Sequence, residues 1–243
     1  MYFITIFFLI LLYVYLYYNN RPRKIYNFDI TQEPFKSLLI SNSDHVLIHS
    51  ILRRIDLALG ENNIEYILGF GSLLGAVRYE NRMPWDDDVD LIVTEKDEDG
   101  LTQIDWMKYN LQISPIFFGY KIYDMKNSRK TDNERIFPFV DIFIYVREQN
   151  RWNFKSKRAR KIWPVSNYKN TDLFPVKRCT YGDSLYPCPF NVDNVLTQTY
   201  GKTWKDKAYI KDAHVNKIGK EYIMPINNYT TDSIKKYLYY AEY

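Results

Sequence analysis

From Ser43 onward, Leu47, Ile48, Ile51, Leu52, Ile55 and Leu59 recur at three-to-four spacing, which predicts a helix with one buried face. Ser43 stands where an N-cap hydroxyl is needed, and Gly60 where a C-terminal cap would fall. Residues 65–68 read as a strand running into the turn Gly69-Phe70-Gly71-Ser72, with a short helix over 73–78. A second strand is predicted over 89–93. Residues 139–146 are apolar except for Asp141, the pattern of a central strand buried on both faces. Downstream, residues 180–185 predict a hairpin turning at Gly182-Asp183, and residues 192–200 a helix stopped at Gly201. The chain shows no internal repeat and no low-complexity stretch.

The pattern at the start of the chain is different. Residues 1–18 carry no charged side chain and would span about 27 Å as a helix, roughly one hydrocarbon core. Tyr13, Tyr15, Tyr17 and Tyr18 crowd its end, where amphipathic rings prefer the membrane interface. A cleaved signal peptide would need a basic leading region and a small-residue cleavage site, and neither is visible. The expected layout is a single-pass anchor over 1–18, a linker over 19–33 and a catalytic domain over 34–243. Arg21, Arg23 and Lys24 follow the span, so the positive-inside rule places the domain on the cytoplasmic side. The sequon at Asn228 would report the opposite orientation if modified.

Composition changes this picture little. The 243 residues are 46% hydrophobic and 26% charged, enough for one domain with an appendage. The 23 tyrosines are scattered along the whole chain, which suits compositional bias better than a ligand surface. A net charge of +4 suits an anionic substrate, but no basic groove with interleaved aromatics marks a nucleic-acid binder. The run from Lys155 to Lys161 reads as a solvated basic loop. Cys179 and Cys188 lack metal-site spacing and are read as free thiols, a disulfide being compatible only with an oxidising compartment.

The chemistry concentrates in two places. In an extended chain Asp86, Asp88 and Asp90 share one face while Asp87 points away, and Asp88 and Asp90 lie about 6.7 Å apart. Carboxylates so close repel unless a hard cation such as Mg²⁺ or Mn²⁺ lies between them. Asp141 is a third acid in a strand where an unpartnered charge is costly. Gly71 and Ser72 sit where a strand meets a helix, a place for free N–H groups to cradle phosphate. Arg78 and Lys121 are candidate phosphate clamps. His45, His49 and His214 receive no role.

The run Gly69-Phe70-Gly71-Ser72-Leu73-Leu74-Gly75-Ala76-Val77-Arg78, followed by Met83-Pro84-Trp85-Asp86-Asp87-Asp88-Val89-Asp90-Leu91, resembles the signature of the LicD family. Val140-Asp141-Ile142-Phe143 is similar to its third-acid strand, and the segment from Pro187 to Tyr200-Gly201 to its closing turn and helix. That family includes bacterial phosphocholine transferases and is similar in its core to fukutin and fukutin-related protein. The resemblance implies a nucleotidyltransferase-type fold, an α/β (α+β) mixed sheet flanked by helices. It further implies transfer of a phospho-alcohol, such as phosphocholine or ribitol phosphate, from a CDP-activated donor to a glycan acceptor, and it allows a lumenal domain. In that reading Gly71 and Ser72 hold donor phosphate, Asp88 and Asp90 bind metal, and Asp86 and Asp141 serve as further ligand or general base. The alternatives are a glycosyltransferase using a nucleotide sugar through its Asp-x-Asp, and an inactive membrane-anchored glycan-binding relative.

Overall fold

The structure, a computed structural model, describes residues 39–131, 134–210 and 222–225. The expected anchor over 1–18, the linker over 19–33, His214 and the Asn228 sequon lie outside them. Among the described residues no helix is long and apolar enough to cross a membrane.

Helix α1 (Asn42–Glu61) buries Ile48, Ile51, Leu52, Ile55 and Leu59 along the stripe its spacing predicts. Its cap differs from the expectation. Ser41, in extended backbone, accepts the Asp44 amide and so takes the role assigned to Ser43. Gly60 stays inside the helix, which stops only after Glu61, where Asn62 donates back to the Ala58 carbonyl. Strand β1 (Tyr66–Leu68) then leads into helix α2 (Phe70–Tyr79). This helix begins three residues earlier than its apolar pattern suggests, so Gly71 and Ser72 belong to its first turn.

Strand β2 (Val89–Thr94) is buried along its whole length and is followed by helix α3 (Glu95–Gln103). The hairpin β3 (Leu111–Ile116) and β4 (Gly119–Asp124) and the small pair β5 (Arg129–Lys130) and β6 (Ile136–Phe137) precede the long strand β7 (Phe139–Glu148). The rest comprises β8 (Arg151–Phe154), α4 (Lys157–Ile162), β9 (Tyr168–Lys169), α5 (Asn170–Leu173), the hairpin β10 (Lys177–Tyr181) and β11 (Ser184–Cys188), α6 (Val192–Tyr200), β12 (Lys207–Ile210) and β13 (Tyr222–Pro225). The β10–β11 hairpin turns at Gly182, whose φ of +68° suits a residue without a Cβ.

The main sheet runs β1-β2-β7-β4-β3, with β8 and β9 continuing from β7. Among the described residues only β2 and β7 of this sheet are parallel; its other pairings are antiparallel. The fold is thus a mixed α/β sheet with helices packed on it, as expected. Strand β7 is central, flanked by β2 and β4, which explains its apolar composition. Cys179 and Cys188 are joined in a disulfide across the β10–β11 hairpin, contrary to the free-thiol reading. Antiparallel register brings their Cα atoms to 5.9 Å, a proximity that sequence separation does not reveal.

Candidate active site

Register builds the centre of the site. Parallel pairing sets Asp90 of β2 directly beside Asp141 of β7. Asp141 is only 4% exposed, and carboxylate oxygens of Asp88, Asp90 and Asp141 lie within 4.8 Å of one another. Asp86, Asp87 and Asp88 form a second such group, so Asp88 belongs to both. The antiparallel neighbour of Asp141 is Lys121, whose Nζ is 2.6 Å from the Asp141 carboxylate and 3.2 Å from the Phe139 ring centroid. Lys121, expected to clamp a phosphate, is thus paired with an acid of the cluster.

Asp87 overturns the alternation argument. Strand β2 starts only at Val89, and the Asp86 amide donates to the Met83 carbonyl at 3.0 Å, closing a turn with Pro84 at its second position. The turn closes at Asp86 and the strand starts at Val89, so residues 86–88 lack the strand geometry that alternation requires, and Asp87 is buried beside Asp86 and Asp88 instead of facing away. Pro84 before Trp85 was the sequence signal for that turn.

Gly71 and Ser72 fasten helix α2 to strand β2. The Gly71 amide donates to Asp90 Oδ2 at 3.2 Å, and Ser72 Oγ accepts the Asp90 amide at 2.8 Å. A Cβ on Gly71 would stand 2.6 Å from Asp86 Oδ2, so any larger residue there would push that carboxylate out of its place. Ser72 is wholly buried and shows no face to solvent, so its hydroxyl orients Asp90 and does not meet a phosphate in this conformation. Phe70 enters α2 with φ +40°, an uncommon conformation for an aromatic residue, and places its ring 4.7 Å from that of Phe143.

These acids line a cleft of about 760 Å³. One wall is aromatic: Phe118 stacks on Phe143 at 4.3 Å, and Phe143 meets Trp163 edge-on at 5.8 Å. The lining also carries Arg78, Tyr200, Trp204 and Lys207. Arg78 donates to the Trp204 and Lys207 carbonyls, so the expected clamp does line the cleft, anchored by backbone. Burial, followed by the charges of Asp88, Asp86 and Asp141, pushes the Asp90 carboxyl well above the usual range, and the Gly71 amide only partly opposes this. Burial and the charges of Asp90 and Asp86 likewise hold the Tyr200 phenol protonated. Crowded, largely buried carboxylates of this kind fit a hard, oxygen-seeking divalent cation.

The sequence matches the family model of the LicD/FKTN/FKRP nucleotidyltransferase domain over residues 63–191, more than half of the chain. The chain belongs to this LicD/FKTN/FKRP family. The matched span carries every acid of the site, together with Gly71, Ser72, Arg78 and Lys121. An uncharacterised protein of Rickettsia prowazekii is 26% identical over 185 residues, 76% of this chain and 65% of that protein. Another from Rickettsia typhi is 26% identical over 179 residues, 74% of this chain and 53% of the relative. The chain therefore spans less than two-thirds of either relative. The lipopolysaccharide cholinephosphotransferase LicD of Haemophilus influenzae is 33% identical over 94 residues, 34% of this chain and 35% of that enzyme. Among solved structures, ANT(2")-Ia in complex with adenylyl-2"-tobramycin is similar over 60% of this chain and 69% of its own, at 15% identity and a TM-score of 0.39. The lincosamide antibiotic adenylyltransferase LnuA covers 58% and 78% at 14% identity and a TM-score of 0.35.

The acids and Arg78 are legible in the sequence, but the aromatic lining is not: Phe118 lies at the turn of a hairpin whose short strands alternate only weakly, and Trp163 follows a basic run with no apolar pattern. That run forms helix α4, in which Arg160 pairs with Glu148.

Proposed function

We propose that this LicD-family transferase moves a phospho-alcohol, of the phosphocholine or ribitol-phosphate type, from a CDP-activated donor to a glycan hydroxyl. The observation that carries the reading is the side-by-side register of Asp90 and Asp141, with Asp88 completing the group, inside a domain of a family that includes a cholinephosphotransferase. Asp88, Asp90 and Asp141 would hold Mg²⁺ or Mn²⁺, which supplies neutralisation of the donor's phosphate charge.

The chain's own groups supply alignment and proton transfer. The acceptor oxygen forms a bond to the donor phosphorus bearing the alcohol, the phosphoanhydride bond breaks, and CMP leaves. Asp86, half-buried and lining the cleft, takes the hydroxyl proton, because Asp141 is already committed to Lys121. Arg78, lining the same cleft, meets the donor phosphates, its guanidinium oriented by two backbone carbonyls. The Tyr200 phenol, held protonated, donates a hydrogen bond into the same space. Attachment through residues 1–18 would keep the domain beside a membrane-borne acceptor.

The test is to incubate the protein with CDP-choline, CDP-ribitol and a panel of nucleotide sugars in Mg²⁺ or Mn²⁺, with and without chelator. CMP release from a CDP-alcohol, abolished by chelator and restored by metal, is the expected result. Nucleoside diphosphate released from a nucleotide sugar would make the protein a glycosyltransferase instead. Turnover in excess chelator would remove the metal from the reading.

A further inference from the structure

The acid-bearing loop wraps around a residue that the proposed chemistry does not use. Arg82 is 2% exposed, and its guanidinium faces inward under residues 83–86. Its Nη1 donates to the Met83 carbonyl at 2.9 Å, to the Pro84 carbonyl at 3.4 Å and to the Asp86 carbonyl. Three carbonyls of one short loop thus converge on one nitrogen. The other terminal nitrogen, Nη2, lies 3.3 Å from His45 Nδ1 of helix α1. A guanidinium has only donors, so His45 Nδ1 must accept and the ring proton must sit on Nε2. Burial, then the Arg82 charge, then His49 keep the His45 ring neutral, as acceptance requires.

This arrangement has a clear direction. Helix α1 fixes His45, His45 fixes the plane of the guanidinium, and the guanidinium fixes where the carbonyls of residues 83–86 point. The side chains of Asp86, Asp87 and Asp88 are set by that same stretch of backbone. The Arg82 charge also acts on all three acids, offsetting part of their mutual repulsion. A lysine could supply the charge but not a planar fork reaching the loop and His45 together.

We propose that Arg82, oriented by neutral His45, is the positioning residue that shapes the carboxylate loop and thereby sets the affinity of its divalent-cation site. The inference rests on the metal reading above, but concerns residues outside the acid cluster. Its consequence is that removing the His45 acceptor, some way behind the acids, weakens metal binding.

The test is calorimetric titration of the metal-free protein with Mn²⁺, alongside thermal unfolding, for the wild type, His45→Leu, His45→Asn, Arg82→Lys and Arg82→Gln. Asparagine places an oxygen near the position of Nδ1, whereas leucine fills the volume without an acceptor. His45→Leu should bind Mn²⁺ roughly tenfold or more weakly while remaining folded, and His45→Asn should stay within about threefold of wild type. Arg82→Lys and Arg82→Gln should both lose affinity; if they do not fold, the His45 pair decides alone. Wild-type affinity in His45→Leu, or equal losses in the leucine and asparagine variants, would overturn the proposal. A wild type that binds no Mn²⁺ would overturn the metal site and this inference together, so the two failures are distinguishable.

Discussion

At the scale of single residues, burial decides what each ionisable group can do. Asp88 belongs to both carboxylate groups, so Asp88→Asn should cost the most, roughly a hundredfold or more in turnover. Asp90→Asn and Asp141→Asn should be comparable. Asp87→Asn should also be harmful, about tenfold or more, because Asp87 is buried beside Asp86 and Asp88. Near-normal CMP release from folded Asp87→Asn would show that only the acids on the strands matter. The two helix histidines make a separate prediction. Burial and the Arg82 charge lower His45 to about 3 and His49 to about 4, with Arg53 adding to the effect at His49 while Asp183 and Asn81 oppose it. Both folded values lie below that of unfolded histidine, about 6.5, so this stabilisation is complete above pH 6.5 and lost as pH falls toward 4 and 3. Thermal midpoints measured from pH 7 to 4 should fall more steeply in wild type than in the double variant His45→Asn with His49→Gln. The comparison cancels Asp90, whose raised value acts in the opposite sense.

At the scale of elements, the critical joint is between α2 and β2. Ser72 Oγ and the Gly71 amide meet opposite ends of Asp90, one its backbone and the other its carboxylate. Ser72→Ala would leave the Asp90 amide unpaired in the core, at a cost of about 1–3 kcal/mol. A lower midpoint in chemical denaturation, with a weaker Mn²⁺ response, is the expected outcome; unchanged stability would show that Asp90 is oriented by the strand alone. The hairpin β10–β11 is a second joint. Its Gly182 packs against His49 and its amide donates to the Glu80 carbonyl just beyond α2, so the disulfide-bearing hairpin supports the helix that carries Gly71. These joints were partly legible: the strand-turn-helix order around Gly71 and the turn at Gly182-Asp183 follow from local residue types. The displaced cap at Ser41 and the continuation of α1 through Gly60 were not, because packing of the helix face outweighs the local preference of one serine or one glycine.

At the scale of the whole molecule, the fold holds several carboxylates closer together than they would lie in an unfolded chain, and a bound cation relieves that repulsion only when folded. Mn²⁺ should therefore raise the thermal midpoint, by a few degrees at concentrations well above its dissociation constant, and Asp88→Asn should abolish the shift. A midpoint indifferent to Mn²⁺ in the wild type would contradict a folded-state metal site. The cleft is lined by aromatic rings, by Arg78 and Lys207, and by the acids.

What the sequence determined by itself is whatever short-range chemistry specifies: the apolar stripe of α1, the buried character of β7 with its anomalous Asp141, the glycine at a close approach, and the acids as a group. Tertiary structure decided which residues stand side by side. Parallel register put Asp90 beside Asp141, antiparallel register gave Asp141 to Lys121 and joined Cys179 to Cys188, and the strand began only at Val89, leaving Asp87 buried beside its neighbours. It also placed His45 behind the acid loop, 37 residues away in sequence from the Arg82 it orients. Local propensity acts over a few residues, whereas strand register and the packing of helix on loop are settled only when distant segments compete to bury the same surface.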